Sequence, residues 1–127
     1  MKLLIIAIGG AIGSVARYLA SGFVHRFSGA VFPWGTMAVN LAGSFLIGFL
    51  WELFDRTAAT PNARLLVFVG FLGGFTTFST YSLETFNLMR DGEYRLALYN
   101  VVASNVLGIA LVFAGFMVSR YLIGLFR

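Results

Sequence analysis

The side chains of this protein that could do chemistry are almost all neutral hydrogen-bond donors set inside apolar runs. Thr36, Asn40 and Ser44 recur at i, i+4 and i+8, which puts two hydroxyls and an amide on one helical face. Residues 73–82, "GGFTTFSTYS", combine two glycines, a dense set of hydroxyls and the rings of Phe75, Phe78 and Tyr81, without a single charge. Ser104, Asn105 and Gly108 repeat the neutral pattern near the end of the chain. Groups of this kind donate hydrogen bonds and bring no carboxylate, which suits an anion. Aromatic ring edges are electropositive, so they could touch a desolvated anion without gripping it. Rings at this spacing equally serve ordinary packing.

Other chemistries lack their residues. There is no cysteine, hence no disulfide, iron–sulfur cluster or thiol nucleophile. The single histidine, His25, falls at a helix end, and no nucleophile–base pair, phosphate loop or HExxH-type spacing is present. Glu52 and Glu84 stand near the ends of apolar segments, too far from a midplane for an obvious proton relay. The chain is not expected to be an enzyme.

These donors must be carried by membrane-spanning helices. The chain has 127 residues, 59% hydrophobic and 11% charged, where soluble domains carry roughly 25% charged residues. Four segments reach the ~20 apolar residues that a span requires: about 3–24, 36–54, 65–88 and 96–123. The expected fold is therefore an all-α integral membrane protein, a single four-helix transmembrane domain over 1–127, with turn residues in short connections. The first segment resembles a signal peptide at Lys2 and at Ser14-Val15-Ala16. Its apolar run continues past Arg17 to Val24, which favours a retained helix.

The net charge of +4 comes from basic residues that flank the apolar segments, which points to lipid headgroups as partners and away from nucleic acid. An even number of spans puts Lys2, Arg56, Arg64, Arg120 and Arg127 on one side, and Arg26, Arg90 and Arg95 on the other. So weak a positive-inside bias is compatible with insertion in both orientations or with one fixed topology.

Within the spans, Gly9 and Gly13 have the spacing that lets helices approach closely, and Ala16 and Ala20 extend that small face. Arg17 would cost ~2.5–3.5 kcal/mol at a helix centre. It could guard an anion vestibule, snorkel to the interface, or pair with Glu84. Asn40 could glue helices together or line a solute path. Gly73 and Gly74, followed by β-branched Thr76 and Thr77, weaken the third helix. Unwound backbone survives at membrane depth only where protein or a hydrated cavity covers it, and it frees carbonyls that can coordinate a cation.

Three blocks carry a resemblance: "GGAIGSVARY" at Gly9–Tyr18, "PWGTMAVNLAG" at Pro33–Gly43 and "GFLGGFTTFST" at Gly70–Thr80. Together they resemble the signature blocks of the small bacterial fluoride channels, the Fluc family, over the whole chain. The resemblance implies passive export of cytoplasmic fluoride across the bacterial inner membrane by an antiparallel homodimer of dual topology, with two fluoride pores. It also implies a central structural Na+ held by main-chain carbonyls of Gly73 and Thr76 from both copies, at a break in the third helix near Gly73–Thr77. By motif position the pore phenylalanines correspond to Phe78 and Tyr81, the latter a departure from the usual Phe. Asn40 matches the pore-facing Asn, Ser79 and Thr80 the hydroxyl-rich stretch along the anion path, and Arg17 the arginine of the first block. Ser104 is the best fourth-helix match, with Tyr99 a weaker one. Two rivals differ in class. A small multidrug transporter would need a glutamate in its first helix, which here has Arg17 and no acid. A non-transporting assembly subunit would use its polar residues for packing alone.

Overall fold

The computed structural model describes residues 1–126; Arg127, one of the five basic residues counted on its side, lies outside the described residues. The elements are α1 (Lys2–Ser28), α2 (Trp34–Arg56), α3 (Pro61–Arg64), a π-helical stretch π1 (Leu65–Leu72), α4 (Gly73–Phe75), α5 (Phe78–Arg90) and α6 (Tyr94–Leu125). Four helical spans are long and apolar enough to cross a membrane, the third running Pro61–Arg90 through its break. The chain is thus a multi-pass membrane protein.

Each span is longer than its apolar core. α1 continues four residues past Val24 and ends where Gly29 takes the left-handed conformation, φ 47°, that terminates many helices. Hydropathy marks only the part of a helix that needs lipid, whereas backbone hydrogen bonding carries it into the headgroup zone. Thr60 starts the third span, its Oγ1 accepting from Ala63 N at 3.2 Å with Pro61 in the first turn. At the same end Arg64 bonds Asp55 at 2.6 Å and lies over the Trp51 ring at 5.8 Å, closing the connection between second and third spans.

Two glycine seams bring the helices together. A Cβ on Gly9 would stand 3.0 Å from the Gly70 Cα, and one on Gly74 would stand 2.6 Å from the Gly10 oxygen. The close approach expected of Gly9 and Gly13 is therefore realised, against π1 and α4. A second seam joins α2 to α6, where a Cβ on Gly48 would meet Val112 Cα at 3.0 Å and one on Gly115 would meet Phe49 N at 2.9 Å. In a membrane no hydrophobic force separates helix from lipid, so backbone contact of this kind is what holds helices together.

The third helix is broken within the expected interval, but two residues after the glycines. Gly73 is helical, with φ −62° and ψ −36°. The extended residues are Thr76 (φ −90°, ψ 155°) and Thr77 (φ −148°, ψ 117°). The double glycine serves close packing, at least at Gly74, and the β-branched threonines, which favour extended backbone, take the break.

Candidate functional site

Thr77 is the residue on which the site is built. Its extended backbone cannot bond within a helix, and Asn40 of α2 bonds it instead from both sides. Asn40 Nδ2 donates to the Thr77 carbonyl at 3.0 Å, and Thr77 N donates to Asn40 Oδ1 at 2.8 Å. The side-chain amide thus stands in for a neighbouring strand. Thr77 Oγ1 in turn caps α5 by accepting from Thr80 N at 3.2 Å, and it donates to Thr80 Oγ1 at 3.0 Å. Ser79 Oγ lies 3.4 Å from the same hydroxyl.

Beside this clamp lies a cavity of about 420 Å³. Of the residues singled out from sequence, Asn40, Gly73, Thr76, Phe78, Tyr81 and Ser104 all line it, together with Ser44, Thr77 and Asn105. No lining residue carries a charge. Ser79 and Thr80 adjoin it through Thr77 but are not among its lining residues. Arg17 stands apart: it lines neither this cavity nor the second one below, and among the described residues it forms no ion pair.

The break also divides the aromatic stripe. Phe75, before it, is buried and stacks on Phe71 with ring centroids 5.7 Å apart. Phe78, after it, is 78% exposed in the single chain and leans on Tyr81 at 5.5 Å. One ring packs and the other is left free. Tyr99 sits with Phe32 and Trp34, 5.2 and 6.4 Å away, outside the cavity.

Which donors remain free follows from counting bonds. Asn40 Nδ2 has two hydrogens, and Thr77 takes one. Asn105 Nδ2 donates to Tyr81 Oη at 3.2 Å and to the Val101 carbonyl at 2.7 Å. Tyr81 accepts there, so its own phenolic hydrogen is available. Ser44 makes no side-chain hydrogen bond among the described residues and contributes a third donor. Behind this row, Asn100, 1% exposed, donates to Thr85 Oγ1 at 2.9 Å and accepts from Ser104 at 3.4 Å. Thr77, Thr85, Asn100 and Asn105 were not among the sequence-derived site residues. The recurrence of hydroxyls at 77, 81 and 85 on one face was the available signal for Thr85.

A second cavity, about 410 Å³, is different in character, with His25, Thr36, Glu84, Asn87 and Asp91 on its wall. Thr36 Oγ1 donates to Glu84 Oε1 at 2.8 Å. Glu84 is therefore partnered by Thr36 and not by Arg17, which removes one of the three readings of that arginine. The polar stripe of α2 serves both cavities, Thr36 the charged one and Asn40 and Ser44 the neutral one.

The carbonyls at the break are unusual too. In an unbroken helix Gly73 O would accept from Thr77 N, and Thr76 O from Thr80 N. Those two hydrogens go to Asn40 Oδ1 and Thr77 Oγ1. No other donor reaches either carbonyl among the described residues.

Residues 4–116 match the family described as "CrcB-like protein, Camphor Resistance (CrcB)". A protein of Magnetococcus marinus named "Fluoride-specific ion channel FluC" is 50% identical over 121 residues, covering 94% of this chain and 98% of its own. The protein of the same name from Geobacter sulfurreducens is 51% identical over 121 residues, with the same coverage, and that of Aquifex aeolicus 48% over 118, covering 92% and 95%.

Proposed function

This chain belongs to the CrcB-like protein family, and from that premise we propose that it is a fluoride-selective channel that lets cytoplasmic fluoride leave passively. The observation that carries the reading is the charge-free cavity, where the free hydrogens of Asn40, Tyr81 and Ser44 face one space with the Phe78 ring at its wall. Fluoride is small and strongly hydrated, so it enters a constriction only where several close donors replace its water. Neutral donors can do this without the deep trap that a fixed cation would create, and the ring edges add weak, non-gripping contacts. Chloride is larger and gains less from each donor. With no acid on the wall, there is nothing in the cavity to couple the flux to protons.

One copy does not finish the path. Phe78, Ser79 and Thr80 are exposed in the single chain, and hydroxyls facing hydrocarbon are costly. This supports a second copy packed against that face, in the antiparallel homodimer and two-pore arrangement that the weak charge bias also permits. Gly73 and Thr76, deprived of their helical donors, fit a hard monovalent cation by donor chemistry. When two copies contribute, four carbonyl oxygens would hold a structural Na+ and supply fixed positive charge close to the anion routes. The bacterial cytoplasmic membrane is the setting that this role requires.

Fluoride efflux from liposomes holding the purified protein, read by electrode with chloride tested alongside, decides the matter. Fast fluoride release with negligible chloride release is expected. Folded, dimeric protein that releases neither ion would refute the channel reading.

A further inference from the structure

We propose that Asn40 and Thr77 are positioning residues that create the cation site, by diverting the two backbone hydrogens that would otherwise occupy the carbonyls of Gly73 and Thr76. The inference rests on the cation reading above and goes beyond it, because it says which side chains make those oxygens available. Both diversions are hydrogen bonds of the structure. Asn40 Oδ1 takes the Thr77 N–H at 2.8 Å, and Thr77 Oγ1 takes the Thr80 N–H at 3.2 Å. The first hydrogen is the one an unbroken helix would send to Gly73 O, the second the one it would send to Thr76 O.

Leaving a main-chain carbonyl without a donor costs free energy unless a ligand or water compensates. Here the same clamp withholds the helical donors of Gly73 O and Thr76 O, and both residues line one cavity. Asn40 also donates to the Thr77 carbonyl, so the clamp satisfies that oxygen while it withholds donors from Gly73 and Thr76. It further links the anion route to the cation, since one amide both offers its spare N–H to the cavity and holds the break open. Asn40 reaches the cation only through Thr77, which is why it positions and does not ligate.

The test is thermal melting of the detergent-purified protein in sodium chloride and in N-methylglucamine chloride at equal concentration. Wild type is expected to melt roughly 5–10 °C higher in sodium, the size that mass action gives well above Kd. Asn40→Asp keeps an acceptor for Thr77 N–H, and Thr77→Ser keeps one for Thr80 N–H, so both should retain the sodium shift. Asn40→Ala and Thr77→Val return the hydrogens to the carbonyls, and each should lose at least half of it. A merely structural role would lower melting equally in both salts and leave the shift intact, which overturns the inference. Each pair is read by itself, so one variant that fails to fold leaves the other pair decisive, and a loss in one pair only overturns the inference for the other residue. If wild type shows no sodium shift, the cation reading fails and this inference with it. A wild-type shift that persists in Asn40→Ala and Thr77→Val sinks the inference alone.

Discussion

Residues 61–75 of the third span meet α1 through backbone, glycine against glycine, whereas residues 78–90 meet α2 and α6 through side chains. In the first half, Gly70 and Gly74 lie so close to Gly9, Gly10 and Ser14 that no Cβ fits between them. In the second half, Thr77, Tyr81, Glu84 and Thr85 each bond a polar partner on another helix or accept one. The first kind of contact is dry and has one arrangement. The second consists of donors that can exchange partners, and it borders a cavity. The third span therefore packs through backbone up to Gly74 and bonds through side chains from Thr77 on, with the break at Thr76 and Thr77 as the boundary.

Substitutions can break that contrast or sharpen it. The largest effect is expected from Gly13→Leu, in the dry seam, where even a Cβ would stand 3.0 Å from Phe75 N. Overpacking of this kind costs ~1–3 kcal/mol or more, against a total stability of about 5–15 kcal/mol. Little monodisperse protein should survive size-exclusion chromatography. Well-folded Gly13→Leu with normal flux would erase the distinction between the halves.

Next comes Asn40→Asp, which puts a carboxylate in the anion's way. Fluoride efflux should fall to background while the protein still elutes from size-exclusion chromatography as wild type does. Unaltered efflux would move Asn40 to packing alone. Phe78→Ile should follow, slowing efflux at least about tenfold, or ~1.4 kcal/mol on the barrier, with no change in the oligomer. Wild-type flux would remove the ring from the mechanism.

Asn105→Ala removes the hydrogen bond to the Tyr81 oxygen as well as the local one to the Val101 carbonyl. A bond of that type is worth ~0.5–1.5 kcal/mol, so efflux should change severalfold through a less constrained phenol. Tyr81→Phe is the smallest step, keeping the ring edge and losing one donor. Conduction should persist with altered fluoride affinity, measured from the concentration dependence of flux. If Tyr81→Phe proved as damaging as Asn40→Asp, the phenol would be an essential donor.

Much of this was legible before any coordinates. Residue periodicity put Thr36, Asn40 and Ser44 on one face, small-residue spacing marked Gly9 and Gly13 as a contact, and the threonines with the double glycine located a break. Spacing could not say that Gly73 stays helical, because whether a glycine bends a helix or packs it depends on what lies opposite. Thr85 and Asn100 were missed, and Asn105 was read only as a neutral donor without a place in the site, for a related reason. Each acquires its meaning from a partner 15 to 24 residues away.

What the sequence by itself determined is the solvent and the kind of chemistry. Apolar runs of span length leave no choice but membrane helices, since in hydrocarbon each backbone group must be satisfied within its own segment. The scarcity of charge inside them leaves neutral donors as the available ligands. What only the tertiary structure decided is which donors remain free. A hydrogen bond is exclusive: once Asn105 binds Tyr81 and Asn40 binds Thr77, the hydrogens and carbonyls left over are set by those pairings, and pairings between helices are not written in the periodicity of any one of them.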